Sequence, residues 1–148
     1  MLNIRRLESK DAPQVGALAA EVFTMPWSEH AFEELAADKE SIFLVAEEEG
    51  RIIGGCGLTH ILDEGDIHNV MVSPACQGRG VGSLLMERLL KEGEAEGIKE
   101  FTLEVRVSNA AAIKVYEKMG FVSEGVRPRF YEQPVEDAVI MWKRIEEV

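Results

Sequence analysis

Gln77-Gly78-Arg79-Gly80-Val81-Gly82-Ser83 separates two apolar patterns of different period. Before it, residues 67–72 read as a strand closed by Ser73-Pro74. After it, Val81, Leu84, Leu85, Leu89 and Leu90 recur on one helical face, and Gly97 terminates the run. Closely spaced glycines let backbone N–H groups gather around an anion without hindrance from Cβ atoms. The helix that follows adds its own unpaired N–H groups and the positive end of its dipole. The stretch therefore reads as a phosphate cradle to which Arg79 adds charge, the plainer alternative being a tight turn that needs positive φ. Two common nucleotide loops are excluded. A Walker loop needs Gly-Lys followed by Ser or Thr, and no lysine occurs here. The dinucleotide fingerprint puts its third glycine three positions after the second, whereas Gly82 follows Gly80 by two.

Towards the start of the chain, Asn3, Ile4 and Leu7 suggest a short strand. Ser9 or Asp11 then caps a helix with Pro13 in its first turn and Val15, Leu18, Ala19 and Val22 at helical spacing. Met25-Pro26-Trp27 breaks it, and Ser28 caps a second helix holding Phe32 and Leu35. Residues 42–46 and 52–59 form a hairpin about Glu49-Gly50. Beyond the long helix, 101–107 alternate as a strand, and 110–118 form a helix with Ala112, Val115, Tyr116 and Met119 on one side and Gly120 at its end. Strands over 121–126 and 138–143 follow, joined by a loop with Pro128 and Pro134. This order predicts an α/β fold: a mixed central β-sheet of about seven strands, with parallel pairing at its centre, antiparallel pairing at one side and helices on both faces.

The length, 148 residues, fits a single domain over 1–148. The net charge of −11 disfavours nucleic acid and would draw in a basic partner, although it also serves solubility. No apolar run is long enough for a transmembrane helix, so no membrane partner is expected, and the first residues lack a secretory pattern. Two cysteines make no disulfide framework, and a cytoplasmic location is the expectation. His30, His60 and His68 are scattered without ligand spacing, so no metal is expected. Oligomeric state is not legible.

The glycine loop resembles the Gln/Arg-x-x-Gly-x-Gly/Ala signature of the GNAT N-acetyltransferases, and Val70-Met71-Val72-Ser73-Pro74 with the long helix after the loop is similar to that family too. The resemblance implies the GNAT fold, acetyl-CoA as co-substrate and no metal. It also implies that the backbone of Val70, Met71 and Val72, with Gln77, Gly78, Arg79, Gly80, Val81, Gly82 and Ser83, holds the cofactor.

On the strand over 101–107, Phe101, Leu103, Val105 and Val107 share one face; Thr102, Glu104 and Arg106 share the other. Polar residues on a central strand line a cleft or mark an edge. An α-amine has a pKa near 7.7–8.0, so attack on a thioester calls for a proton acceptor, and Glu104 is the candidate. Tyr116 could assist the departing thiolate. From ordinary values near 10 and 8.5, full proton transfer to it is uphill by about 2 kcal/mol, which favours hydrogen bonding as part of the role. A tyrosine on a helix facing a sheet is also an ordinary core residue.

Leu103-Glu104-Val105-Arg106-Val107-Ser108-Asn109-Ala110-Ala111-Ala112-Ile113, with Tyr116-Glu117 and Gly120-Phe121, resembles the RimI type of that family, the ribosomal-protein alanine N-acetyltransferases. Met25-Pro26-Trp27-Ser28-Glu29 and the segment 127–141, with Tyr131 and Glu136-Asp137-Ala138, agree. The resemblance implies Glu104 as proton acceptor, Tyr116 as proton donor, and a basic protein N-terminus, that of a ribosomal protein, as acceptor. Asn109 would contact the pantetheine arm or cap its helix; Trp27, Arg106 and Tyr131 would bind substrate, Trp27 being equally readable as core. Phe130 stands where many members have a second tyrosine. A small-amine or lysine acetyltransferase on the same scaffold and a non-catalytic coenzyme A sensor are the alternatives.

Overall fold

The computed structural model describes residues 1–145. Seven strands make one sheet: β1 (Leu2–Arg6), β2 (Ser41–Glu48), β3 (Arg51–Ile61), β4 (Glu64–Val72), β5 (Glu100–Arg106), β6 (Val122–Glu132) and β7 (Val135–Arg144). They lie in the order β1-β2-β3-β4-β5-β7-β6. The pairings are antiparallel except β4 with β5, so the parallel step falls at the centre, as the strand–helix–strand pattern predicts.

Period-2 patterning sorts the core into two layers. On β2, Ile42, Leu44 and Ala46 pack with α3 (Val81–Ala95) and Tyr116 of α4 (Ala110–Lys118). Phe43 and Val45 point the other way, against α1 (Ala12–Val22) and α2 (Glu29–Ala37). β5 obeys the same rule: Phe101, Leu103 and Val105 join the α3/α4 layer, which leaves Thr102, Glu104 and Arg106 on the α1/α2 face.

Two expectations are corrected. The loop holding Pro128 and Pro134 shrinks to a turn at the cis Gln133–Pro134 bond, because β6 runs on through Pro128 to Glu132. β6 is an edge strand, where one row of N–H groups has no strand to serve, and a register shift between Arg127 and Tyr131 absorbs the proline. β7 lies between β5 and β6 and pairs with both. At the first helix, Pro13 sits in the opening turn as expected, but Asp11 turns back to accept from Glu8 N–H at 2.8 Å and from the Arg5 guanidinium at 2.7 and 2.9 Å.

Candidate active site

The β4–β5 ladder covers three pairs, ending at Asp66↔Thr102. Beyond it β4 continues against β3 to Gly54↔Val72, and β5 continues against β7 to Arg106↔Ala138. The two strands therefore part, leaving a cleft with the backbone of Val70, Met71 and Val72 on one lip and Leu103 to Arg106 on the other. The cause is local. From Gly57↔His68 to Gly55↔Met71, β4 advances three residues while β3 advances two. The extra residue is accommodated by Asn69 at φ 54, a bulge that turns β4 away from its neighbour.

The glycine loop opens on the end of this cleft. Gly78 and Gly80 take φ of 85 and 79, and added Cβ atoms there would meet nothing within 4 Å. Gly80 caps α3 without a side-chain hydrogen bond, so the loop and the first turn of α3, with Val81, Gly82 and Ser83, keep room for an anion. That open, donor-rich cradle fits a pyrophosphate. Arg79 points its fork at Glu48, with bonds of 3.1 and 2.6 Å that hold this carboxyl below its usual range. Gln77 adjoins the loop and is exposed. Asn109 caps α4, its Oδ1 accepting from Ala112 N–H at 3.2 Å.

Across the cleft, Glu104 is mostly enclosed and lies 3.6 Å from Arg127. Asp66, which sequence reasoning passed over, stands on the same face, and its carboxyl is pushed up to about 6. Desolvation is the main cause; the charges of Glu104 and Glu64 add to it and Arg127 opposes. The sequence pattern starts this strand at Ile67, so Asp66 falls just before it and carries no signal of its own. Tyr116 approaches from the opposite face of the sheet. Its ring packs on Phe121 at 6.0 Å, and burial pushes its hydroxyl up to about 12, with smaller contributions from Cys56 and Tyr131. Tyr131 is itself raised by burial and by Glu104, so it stands in the electrostatic reach of both.

Arg106 is committed to the β6–β7 turn. Its Nη1 donates to Pro134 O at 3.0 Å and Glu136 Oε1 at 3.1 Å, and Nη2 donates to Gln133 O at 3.2 Å. Its guanidinium lies 4.3 Å from the Tyr131 ring centre, and Glu136 Oε2 also accepts from Ser108 N–H at 2.7 Å. These contacts fasten the turn, with Tyr131, over the end of β5.

Trp27 is 41% exposed, which separates it from the core. It stacks on His68 with centroids 4.8 Å apart and borders a groove of about 380 Å³ shared with Ala31, Glu34, Leu35, Asp38 and Thr59. Burial pushes the His68 ring down to about 4, so it is neutral at physiological pH.

The acetyltransferase (GNAT) family model matches residues 12–121. The [ribosomal protein bS18]-alanine N-acetyltransferase of Escherichia coli (strain K12) is 34% identical over 143 residues, 95% of this chain and 96% of that one. The crystal structure of the ribosomal-protein-S18-alanine N-acetyltransferase from Escherichia coli superposes with a TM-score of 0.91 at 33% identity, covering 100% of this chain and 96% of the other. The structure of yncA from Salmonella typhimurium, solved with its cofactor acetyl-CoA, shares the fold at 21% identity and a TM-score of 0.86, covering 100% and 96%. The parted strands and glycine cradle thus sit within a matched sequence and a matched fold: the chain belongs to the GNAT acetyltransferase family and is an acetyl-transferring enzyme.

Proposed function

We propose that the chain acetylates the α-amine of a protein beginning with alanine, ribosomal protein bS18 being the acceptor, at the cleft between β4 and β5. The observation that carries this reading is the near full-length similarity to enzymes named for that reaction. The exposed Trp27 and the Arg106-fastened turn bearing Tyr131 support it, since they flank the Glu104 side of the cleft with room for a chain terminus.

In this mechanism the backbone of Val70, Met71 and Val72 and the loop from Gln77 to Ser83 hold acetyl-CoA, with Arg79 exchanging Glu48 for a phosphate and Asn109 fixing the start of α4. Bound there, the cofactor supplies an acetyl group activated as a thioester. Glu104, directly or through a water, takes the proton of the incoming ammonium, and the negative field of Asp66 beside it favours the amine's arrival as a cation. Tyr116 faces the same cleft from the other layer. Its hydroxyl, at about 12 against a thiol near 8.5, is roughly 5 kcal/mol short of full proton transfer. Hydrogen-bond donation to the developing thiolate is therefore its role, strengthened by the enclosure that raises it.

Thiol release from acetyl-CoA tests the reading, comparing an alanine-started basic peptide, its N-terminally blocked copy and spermidine. Turnover confined to the free peptide is the expected result. Turnover with spermidine alone would transfer the protein to the small-amine acetyltransferases, and coenzyme A binding with no turnover on any of the three would favour a sensor.

A further inference from the structure

His68 has no part in the proton transfers above, yet it meets both halves of the site. Its hydrogen bonds fix one tautomer. The Asn69 side-chain amide, 2.9 Å from Nδ1, can only donate, so the ring proton is on Nε2 and is given to Thr59 Oγ1 at 3.3 Å. Ser41 donates to Asp38 Oδ2 at 2.8 Å, so the 2.9 Å bond between Thr59 and Ser41 has Thr59 as donor. Donation thus runs one way from the β4 bulge to Asp38, the residue that closes α2. At the other end of α2, Trp27 precedes the capping Ser28 and stacks on the same imidazole. α2 is tied to His68 at both of its ends.

We propose that His68 is a positioning residue that couples acceptor binding against Trp27 and α2 to the shape of the cofactor cleft at Asn69. This rests on the acceptor reading of Trp27 given above. The opposing position on β3 is Gly57, where the Phe43 ring fills the space a Cβ would need, and Phe43 lies 6.4 Å from His68. Boxed between Phe43 and Trp27, the imidazole has little freedom to yield alone. A displacement of Trp27 or Asp38 passes instead to the Asn69 side chain. Asparagine tolerates left-handed backbone because its short side chain bonds locally, and here that bond is to His68. The bulge leads directly into Val70, Met71 and Val72. By linkage, a peptide that steadies His68 tightens coenzyme A, and coenzyme A tightens the peptide by the same factor.

The test uses a Trp142→Phe background, in which Trp27 is the remaining tryptophan. Coenzyme A is titrated by Trp27 fluorescence and by calorimetry, with and without the alanine-started basic peptide. Trp27 emission should respond to coenzyme A, and the peptide should tighten coenzyme A by at least about fivefold. His68→Phe keeps a ring on Trp27 and loses both nitrogen contacts; it should bind coenzyme A with neither the Trp27 response nor the tightening. Asn69→Gly keeps the left-handed backbone without the side-chain bond and should uncouple in the same way if His68→Phe fails to fold. Wild-type coupling in either variant overturns the proposal, as does a Trp27 silent to coenzyme A in the parent. A Trp27 that responds while the peptide changes nothing supports the link from His68 to the cleft and counts against the acceptor reading alone.

Discussion

Glu104 and Tyr116 belong to opposite layers of the sheet, and in the proposed mechanism the parting of β4 from β5 is what lets both meet one substrate. Glu104→Gln should lower turnover by about 10²- to 10⁴-fold with coenzyme A affinity unchanged. Part of the loss should return as pH passes the amine's own pKa; a pH-independent deficit would remove Glu104 as the base. Tyr116→Phe should slow single-turnover acetyl transfer and leave the melting temperature within about 1–2 °C, since its hydroxyl has no hydrogen-bond partner among the described residues. Asp66 has a folded pKa of about 6, above its ordinary 3.8. Its contribution to stability is complete below about pH 4 and is lost as pH rises through 6. Asp66→Asn should therefore raise the melting temperature at pH 7.5, on the order of 1–2 °C given its contact with solvent, with the gain fading towards pH 4. An equal gain at every pH would assign the effect to packing. Glu104 and Tyr116 were legible as candidates because a carboxylate interrupts an alternating strand and a polar tip sits on an apolar helix stripe. Asp66 was not, because its role depends on Thr102 and Glu104 from a strand some forty residues away.

At the scale of elements, the strands and helices were readable where one period dominates, as in α3 and β2. The end of β6 was not, because its proline and left-handed Arg129 read locally as a loop while its place at the sheet edge permits a strand. Which strand lies beside β5 is settled by tertiary pairing, although the continuous apolar run over 138–142 suits an interior strand better than 122–126 with its Ser, Glu and Gly. The cleft bulge depends on close packing across β3 and β4. A Cβ on Gly57 would fall 2.4 Å from Phe43 Cδ2 and 3.0 Å from Ile42 O. Gly57→Ala should cost about 1–3 kcal/mol in denaturant unfolding, and by shifting Phe43 against His68 it should also weaken coenzyme A binding. A variant of unchanged stability would mean that Phe43 can move freely.

Over the whole molecule, the charge of −11 acts on encounter before any contact forms. With a peptide rich in Lys and Arg, kcat/KM should fall several-fold as salt rises from about 0.01 M to about 0.3 M, where screening shortens from about 30 Å to below 10 Å. A peptide of neutral sequence should show little change, and equal salt responses would leave the acidic surface a matter of solubility. The place of β7 has another consequence, for synthesis. Val135–Arg144 is made after β6 yet fills the gap between β6 and β5. Until those residues leave the ribosome, β5 has an open edge on the side away from β4, and Glu104 stands on a strand with only three rungs to hold it. A nascent chain at that stage carries the strand of the proposed base without its support and an unpaired strand edge free to template aggregation. Activity and protection from association are therefore acquired together, in the time it takes to extrude about ten residues.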